Sequence, residues 1–351
     1  MTYTRLFLLL PAMIFAGSYG SPTAALSQAT QGQSVNEQAG QEAGREAAAA
    51  IIADVEAWTL ERDLLLRQRR GLPITKLPDT SLAGTKATAE YARAILERIE
   101  GVDVSAIDHQ SLVNLQVIQN TFEKLASAPE HYWLQFSITP YARMFALYIV
   151  NPVLAGIPLE TAEQRQNYLG LVDGYARIVE EWATKIDGQE ERGILIPKAA
   201  LPGVRTTLTG EKGMAAALLL PQSSRLKGVD ASVADDFLAA VAARVKDRVE
   251  PAYDAILAIL DEDYEKRAPD RVGMNQYPGG AAAYRAAVRQ AASYDVSPEE
   301  LHASGLAALE SLHAKMKAIR DELGFAGSAM EFNDRLRTYM EIGRASCRER
   351  V

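Results

Sequence analysis

The chain has 351 residues, of which 48% are hydrophobic and 23% are charged, so it can bury the core of one large domain or of two small ones. Its formal net charge of −8 disfavours a general electrostatic attraction to nucleic acid or to an anionic membrane. We therefore expect a peptide or a small molecule as the partner, and no nucleic acid.

The N-terminus has the order of a secretory signal peptide. In MTYTRLFLLLPAMIFAGSYGS one cation, Arg5, precedes an apolar run from Leu6 to Ala16, and small residues follow. A transmembrane anchor is the alternative, but the run is shorter than the roughly 18–20 residues that span a bilayer, and Pro11 interrupts it. No cysteine that could carry a lipid follows the run. The pattern predicts a signal peptide over residues 1–20 and a periplasmic or secreted product, without membrane contact after cleavage.

Residues 21–45 are rich in Gln, Gly, Ala and Ser and contain almost no large apolar side chain. Such a segment buries too little surface to offset the entropy of ordering, so we expect a flexible leader. Helical periodicity begins at Glu46 and continues to about residue 340.

Helix signals recur along residues 46–340. The first predicted helix runs from Glu46 to a stop at Gly71 and Pro73, a second ends at Gly101, and a third runs from about residue 111 to 126. A fourth predicted helix begins at a capping box formed by Thr161 and Gln164. Apolar stripes on the first and third contain Ile51, Val55, Trp58, Leu65, Leu115, Ile118 and Phe122. A later helix is expected to kink or divide at Pro251. Because no stretch has sustained strand alternation, the predicted fold class is all-α, with at most short strands.

The last predicted helices have clear boundaries at their start. Ser297, Pro298 and Glu300 form a capping box before a helix that stops at Gly324, and another helix opens at Ser328 with Glu331. Its apolar face has barely begun when the chain reaches EIGRASCRERV, residues 341–351.

This final segment also contains the only cysteine, Cys347. Its codons can be written as a common short-read sequencing adapter whose next triplet is a stop. We interpret 341–351 as an adapter-derived tail and 46–340 as an incomplete helical domain. A natural basic tail is the alternative, because codons are degenerate.

The chain contains few residues of the kinds that make catalytic motifs. Its four histidines form no HExxH motif, and no GxSxG elbow is present. His302 and His313 fall near one helix face, but a rise of 1.5 Å per residue separates them by roughly 16 Å, too far to share a metal ion. We interpret them as packed or capping histidines. The acidic run Asp261 to Asp263 is interpreted as a solvated helix end.

The segment QYPGG is a turn signal in which paired glycines allow close backbone approach to a ligand. Tyr284, four residues past Gly280, is a possible hydrogen-bond donor beside it. An ordinary turn without a ligand is the alternative.

Three segments around this turn resemble one bacterial family, domain of unknown function 885. They are EPAYDAILAIL, GMNQYPGGAAAYRAAVRQAASYDVSPEELHASGLAALESLHAKM and GFAGSAMEFNDRLR. The resemblance implies a mostly helical fold similar to gluzincin metallopeptidases, whose zinc motif would lie beyond this chain. The family's cleft wall carries over onto Tyr277, Pro278, Gly279, Gly280, His302 and Gly305. The chain departs from the family where Ala283 replaces the first residue of an aromatic pair.

Two functions are compatible with these observations. The resemblance implies an N-terminal fragment of an exported zinc-dependent hydrolase, in which metal-activated water attacks an amide or ester carbonyl. Zinc is then expected for the full-length protein and no cofactor for this chain, which by itself would be inactive. The alternative is a noncatalytic helical module that binds a periplasmic ligand.

Overall fold

The computed structural model describes the backbone of residues 31–140 and 150–348 and the side chains of 40–140 and 150–339. Within these residues the chain is helical and contains no strand, which confirms the predicted all-α class. The helices are α1 Gln31–Arg62, α2 Leu64–Arg69, α3 Leu82–Glu100, α4 His109–His131, α5 Asn151–Ala155, α6 Ala162–Glu190, α7 Leu201–Leu219, α8 Ala231–Arg244, α9 Glu250–Ile259, α10 Glu262–Arg267, α11 Gly280–Ala292, α12 Pro298–Glu322 and α13 Ala329–Arg348. The predicted signal peptide lies outside the described residues.

Helix α1 begins at Gln31 rather than at Glu46, so residues 31–45 are not the flexible leader expected from their composition. Gln, Glu, Ala and Arg have high helix propensity even where they form no apolar face. Gly44 is buried, and a Cβ at that position would lie 2.8 Å from the Cβ of Ala106. The missing side chain thus lets the early part of α1 pack closely on the turn Val104–Ala106.

The first predicted helix is divided at Asp63. The side chain of Asp63 accepts a hydrogen bond of 2.8 Å from the backbone N–H of Leu66 and caps a separate short helix, α2. Periodicity alone did not indicate this break because the apolar positions continue in register across it.

Helices α1, α3 and α4 form a small apolar core near the N-terminus. Leu115, Ile118 and Phe122 of α4 are buried in it, as their spacing predicts. Trp58 of α1 stacks on Tyr91 of α3 with ring centroids 5.2 Å apart, and both rings pack near Phe122. Aromatic pairs of this kind add about 0.5–1.5 kcal/mol beyond the burial of their area.

The main core surrounds α6, which the predicted capping box of Thr161 and Gln164 begins. Buried side chains occur on most of its circumference, including Leu171, Val172, Ile178, Val179 and Ile186. Helices α7 and α9 and a π-helical turn at Val245–Val249 pack into the same apolar cluster. A helix that is apolar on most sides has to lie inside a core.

The π-helical turn joins α8 to α9 directly before Pro251. Proline lacks the N–H that an α-helix would use at this point, so the predicted division of the helix is confirmed.

The chain divides into two compact units, residues 1–283 and 284–351. In the second unit α12 starts at the predicted capping box of Ser297 and Glu300, and Gly324, with φ of +65°, follows its end. Ser328 and Glu331 cap α13 as predicted, and the helix continues to Arg348 through most of the segment interpreted as a tail. No residue of α12 is buried.

None of the helices in the described ranges has an apolar stretch long enough to cross a bilayer.

Lys185 on α6 is a buried charge beside the turn Tyr132–Leu134. Its side chain is 7% exposed, and its Nζ lies 4.1 Å from the centroid of the Tyr132 ring. Burial lowers the pKa of Lys185 to about 8, since the charged form loses its hydration. The ring face offsets part of that loss through a cation–π contact.

We predict that Lys185→Met stabilises the protein at pH 7, by about 1–3 kcal/mol, because the unfavourable buried charge is removed. Between pH 8 and about 10.5 the unfolded chain binds more protons at Lys185 than the folded chain, so the wild type gains stability as the pH rises through this window. The advantage of the variant should therefore shrink from pH 7 to pH 10. Urea unfolding of both proteins from pH 7 to pH 10 measures this advantage. An advantage that grows with pH would contradict a lowered pKa for Lys185.

Candidate functional site

The segment Tyr277 to Gly280 forms the tight turn that starts α11. The N–H of Gly280 donates to the carbonyl of Tyr277 at 2.9 Å, with Pro278 and Gly279 between them. Gly279 has φ of +74°, a conformation that disfavours any residue with a side chain, and this arrangement is a type II turn. A Cβ on Gly280 would lie 1.8 Å from the carbonyl oxygen of Met274. Local backbone geometry therefore accounts for both glycines.

Tyr277 is packed rather than open. It is 7% exposed, its hydroxyl donates to the carbonyl of Leu195, and its ring lies edge-on to Phe136. Burial, with a smaller contribution from Tyr264, raises the pKa of Tyr277 to about 12. The Tyr277 hydroxyl therefore already has a hydrogen-bond partner in the main chain. That this turn forms part of a substrate cleft stays a prediction.

A groove of about 370 Å³ lies in the second unit, between the later part of α11 and the first half of α12. Three of the predicted site residues, Tyr284, His302 and Gly305, line it together. The remaining walls are apolar and consist of Val288, Pro298, Leu301, Leu306 and Leu309. A Cβ on Gly305 would meet nothing within 4 Å, so the groove is open at this position.

Tyr284 and His302 supply the polar atoms of this groove. Tyr284 is 43% exposed, and His302 is also exposed. Neither side chain forms a hydrogen bond or an ion pair within the part of the chain that the structure describes. Their hydroxyl and imidazole groups are thus available to a ligand, against a background of aliphatic side chains.

The histidines do not pack as the sequence analysis expected. His302 and His313 are both exposed on α12, and His109 is exposed at the start of α4. The interpretation of His302 and His313 as packed or capping residues is therefore wrong, because both side chains are exposed and no residue of α12 is buried. The acidic run behaves as expected: Asp261 caps α10, accepting a 2.8 Å hydrogen bond from the N–H of Tyr264.

The described residues do not fit the zinc ion that the family resemblance implies. Among them no three His, Cys, Asp or Glu side chains come close enough to share a metal ion. A catalytic zinc needs three protein ligands within about 2.3 Å of the metal. The side chains of residues 40–140 and 150–339 therefore do not by themselves form a catalytic zinc centre.

A buried polar cluster in the main core escaped the sequence analysis. The hydroxyls of Tyr175 and Tyr253 lie 2.6 Å apart, and that of Tyr253 donates to Glu211 at 3.2 Å. Burial raises the pKa of both tyrosines. One signal was available: Glu211 occupies an apolar stripe of α7 with Leu208 and Ala215, which a charged residue does not do without a buried partner.

We predict that Gly280→Ala destabilises the protein by about 2 kcal/mol or more, because the new methyl group collides with the Met274 carbonyl. Gly279→Ala should cost about 1 kcal/mol through its positive φ. The matched control is Gly170→Ala in α6, an exposed helical glycine with open space, which should gain about 0.5–1 kcal/mol. Chemical denaturation followed by circular dichroism measures the free energy of unfolding of all three variants. Equal stability of the Gly280 and Gly170 variants would show that Gly280 does not lie so close to the Met274 carbonyl.

A solved structure of a similar fold is that of a protein described as a "putative lipoprotein" from Colwellia psychrerythraea. The two align with a TM-score of 0.65 at 17% sequence identity, over 80% of this chain and 52% of the other. This chain thus spans about half the length of that relative, and the likeness concerns the fold alone. No curated protein matches this chain. The family described as "Bacterial protein of unknown function (DUF885)" matches residues 65–348, most of the chain, and the chain therefore belongs to that family.

Proposed function

We propose that this chain is the N-terminal helical part of a larger exported hydrolase that cleaves amide or ester bonds, and that the groove between α11 and α12 binds its substrate. The observation that carries the proposal is the pairing of Tyr284 and His302 in one aliphatic groove, with both polar groups unused by the described part of the chain.

The chemistry of the groove suits a short peptide or an acylated small molecule. Apolar walls with a few convergent polar groups are typical of sites that hold such ligands. A tyrosine hydroxyl and an imidazole N–H can each donate a hydrogen bond to a carbonyl oxygen, and they stabilise the negative charge that develops there during acyl transfer. In this proposal Tyr284 and His302 bind and polarise the carbonyl.

The larger size of the protein is supported by two observations. The chain covers about half of the solved relative's length. In addition, α12 exposes large apolar side chains that a finished domain would cover, among them Leu309, Leu312 and Ile319. The zinc implied by the resemblance would be bound by residues outside those described, and it would supply an activated water molecule. Export through a cleaved signal peptide completes the proposal.

The proposal predicts the behaviour of matched groove variants in the complete gene product. Tyr284→Phe and His302→Gln should each lower kcat on peptide or ester substrates by about 10- to 100-fold, since each removes one donor to the developing oxyanion. Tyr294→Phe and His313→Gln are the controls, because these exposed residues lie in the same unit but do not line the groove. Zinc content, measured by atomic absorption, should be unchanged in all four variants.

A zinc-loaded gene product that hydrolyses no member of a peptide and ester library would sink the proposal. Tight peptide binding without turnover, weakened by Tyr284→Phe, would favour the noncatalytic binding module instead. Joint loss of zinc and activity in His302→Gln would mean that His302 is a metal ligand.

A further inference from the structure

The residues that follow α4 form a short strap across one side of α6. The strap, which we define as residues 132–136, begins with the turn Tyr132–Leu134. Gln189 of α6 holds it in place, because its side-chain amide donates to the carbonyl of Trp133 at 2.7 Å and to that of Gln135 at 3.4 Å. Gln189 is only 2% exposed, so these hydrogen bonds lie out of water.

Two aromatic rings of the strap each lie against a cation. The centroid of the Tyr132 ring is 4.1 Å from the Nζ of Lys185 on α6. The centroid of the Trp133 ring is 4.1 Å from the Cζ of Arg192, just after α6. Trp133 also packs so closely on Gly188 that a Cβ there would lie 2.4 Å from its ring. The closed strap is therefore held by cation–π contacts and close packing as well as by hydrogen bonds.

The two cations differ in how much water they keep. The side chain of Arg192 is 44% exposed, whereas Lys185 is 7% exposed beneath the Tyr132 ring. No carboxylate in the described part of the chain forms an ion pair with Lys185. Burial lowers the pKa of Lys185 to about 8 from its ordinary value of 10.5. The charge on Lys185 therefore opposes closure of the strap.

Two carboxylates near the Tyr132 hydroxyl have other partners. Burial, and then the charges of Glu181 and Asp79, raise the pKa of Tyr132. Glu181 accepts a hydrogen bond of 2.7 Å from the hydroxyl of Thr80, and Asp79 accepts one of 3.0 Å from the N–H of Ser81. Neither carboxylate is paired with the buried ammonium group.

This buried amine couples the position of the strap to pH. When the strap opens, Lys185 returns to water and its pKa rises toward 10.5, so between pH 8 and 10.5 the open form binds more protons than the closed form. Raising the pH through this window therefore favours the closed strap. Below about pH 8 both forms carry the proton, and the full cost of burying the charge opposes closure.

We propose that residues 132–136 are a pH-dependent strap, which closes over α6 and the Tyr277 turn as Lys185 loses its proton and opens at lower pH. In the closed form the Phe136 ring lies edge-on to Tyr277 at 5.9 Å, and Leu134 shares an apolar cluster with it. Opening of the strap therefore uncovers Tyr277. The inference goes beyond the proposed hydrolase function and does not depend on it, because it concerns a movement of the chain and not bond cleavage.

The test is millisecond hydrogen exchange of the 351-residue chain, followed by mass spectrometry of peptides that contain the strap. Exchange rates divided by the intrinsic rates give the opening constant of the strap at each pH. Because opening returns Lys185 to water, we expect this constant to fall by about tenfold from pH 6.5 to pH 9. In Lys185→Met, which has no titrating group at this position, the opening constant should be independent of pH.

Three further variants separate the effect of Lys185 from other effects. Lys227→Met makes the same change at an exposed lysine before α8 and should keep the pH dependence of the wild type. His131→Gln should keep it too, although this imidazole directly precedes the strap. Gln189→Leu removes two hydrogen bonds to the strap, so it should raise the opening constant at every pH while the tenfold dependence persists.

Two results would overturn the proposal. One is an opening constant of the strap that does not change with pH in the wild type, or that changes equally in Lys185→Met. The other is protection of the strap amides equal to that of the buried amides of α6, because the strap would then open only when the whole unit unfolds.

Discussion

An apolar helix face is stabilised by removal from water, and the two units of the chain differ in how far they achieve this. Helix α6 achieves it: its stripes are buried against α8, α9 and the π-helical turn. Helix α12 carries an apolar stripe of comparable length and leaves it exposed. Full burial of a Leu, Ile or Met side chain contributes about 1.5–3 kcal/mol, so covering the exposed stripe of α12 would stabilise the protein considerably.

Much of the fold could be predicted because its boundaries are set by local interactions. The capping boxes at Thr161 and Ser297 depend only on residues three positions apart, and both are present in the structure. The division of a helix before Pro251 likewise follows from the missing N–H of proline. The start of α1 was missed because helix propensity and the close contact at Gly44 extend the helix where no apolar face announces it.

The element that packs on each helix could not be predicted, because apolar periodicity identifies the apolar face of a helix but not the element that covers this face. His302 and His313 were expected to be packed or capping residues, but the stripe of α12 has the same period as a buried one, so the pattern could not show that both side chains are exposed. The grouping of the candidate site residues could be predicted only in part for the same reason. Tyr284, His302 and Gly305 are brought together by the pairing of α11 with α12, whereas Tyr277 is held by the carbonyl of Leu195, a contact between residues far apart in sequence. The buried Lys185 and Glu211 stood in apolar stripes, a signal that was present and not used.

The most direct measurement of the central claim, that the face of α12 is built to be covered, is amide hydrogen exchange followed along the chain. Amides of α12 between residues 312 and 323 should exchange much faster in the 351-residue chain than those of the buried helix α6, because local opening of an uncovered helix exposes little additional apolar surface. In the complete gene product the same α12 amides should approach the protection of α6. Protection of α12 that is already equal to that of α6 in the shorter chain, or that does not change in the complete product, would contradict the account.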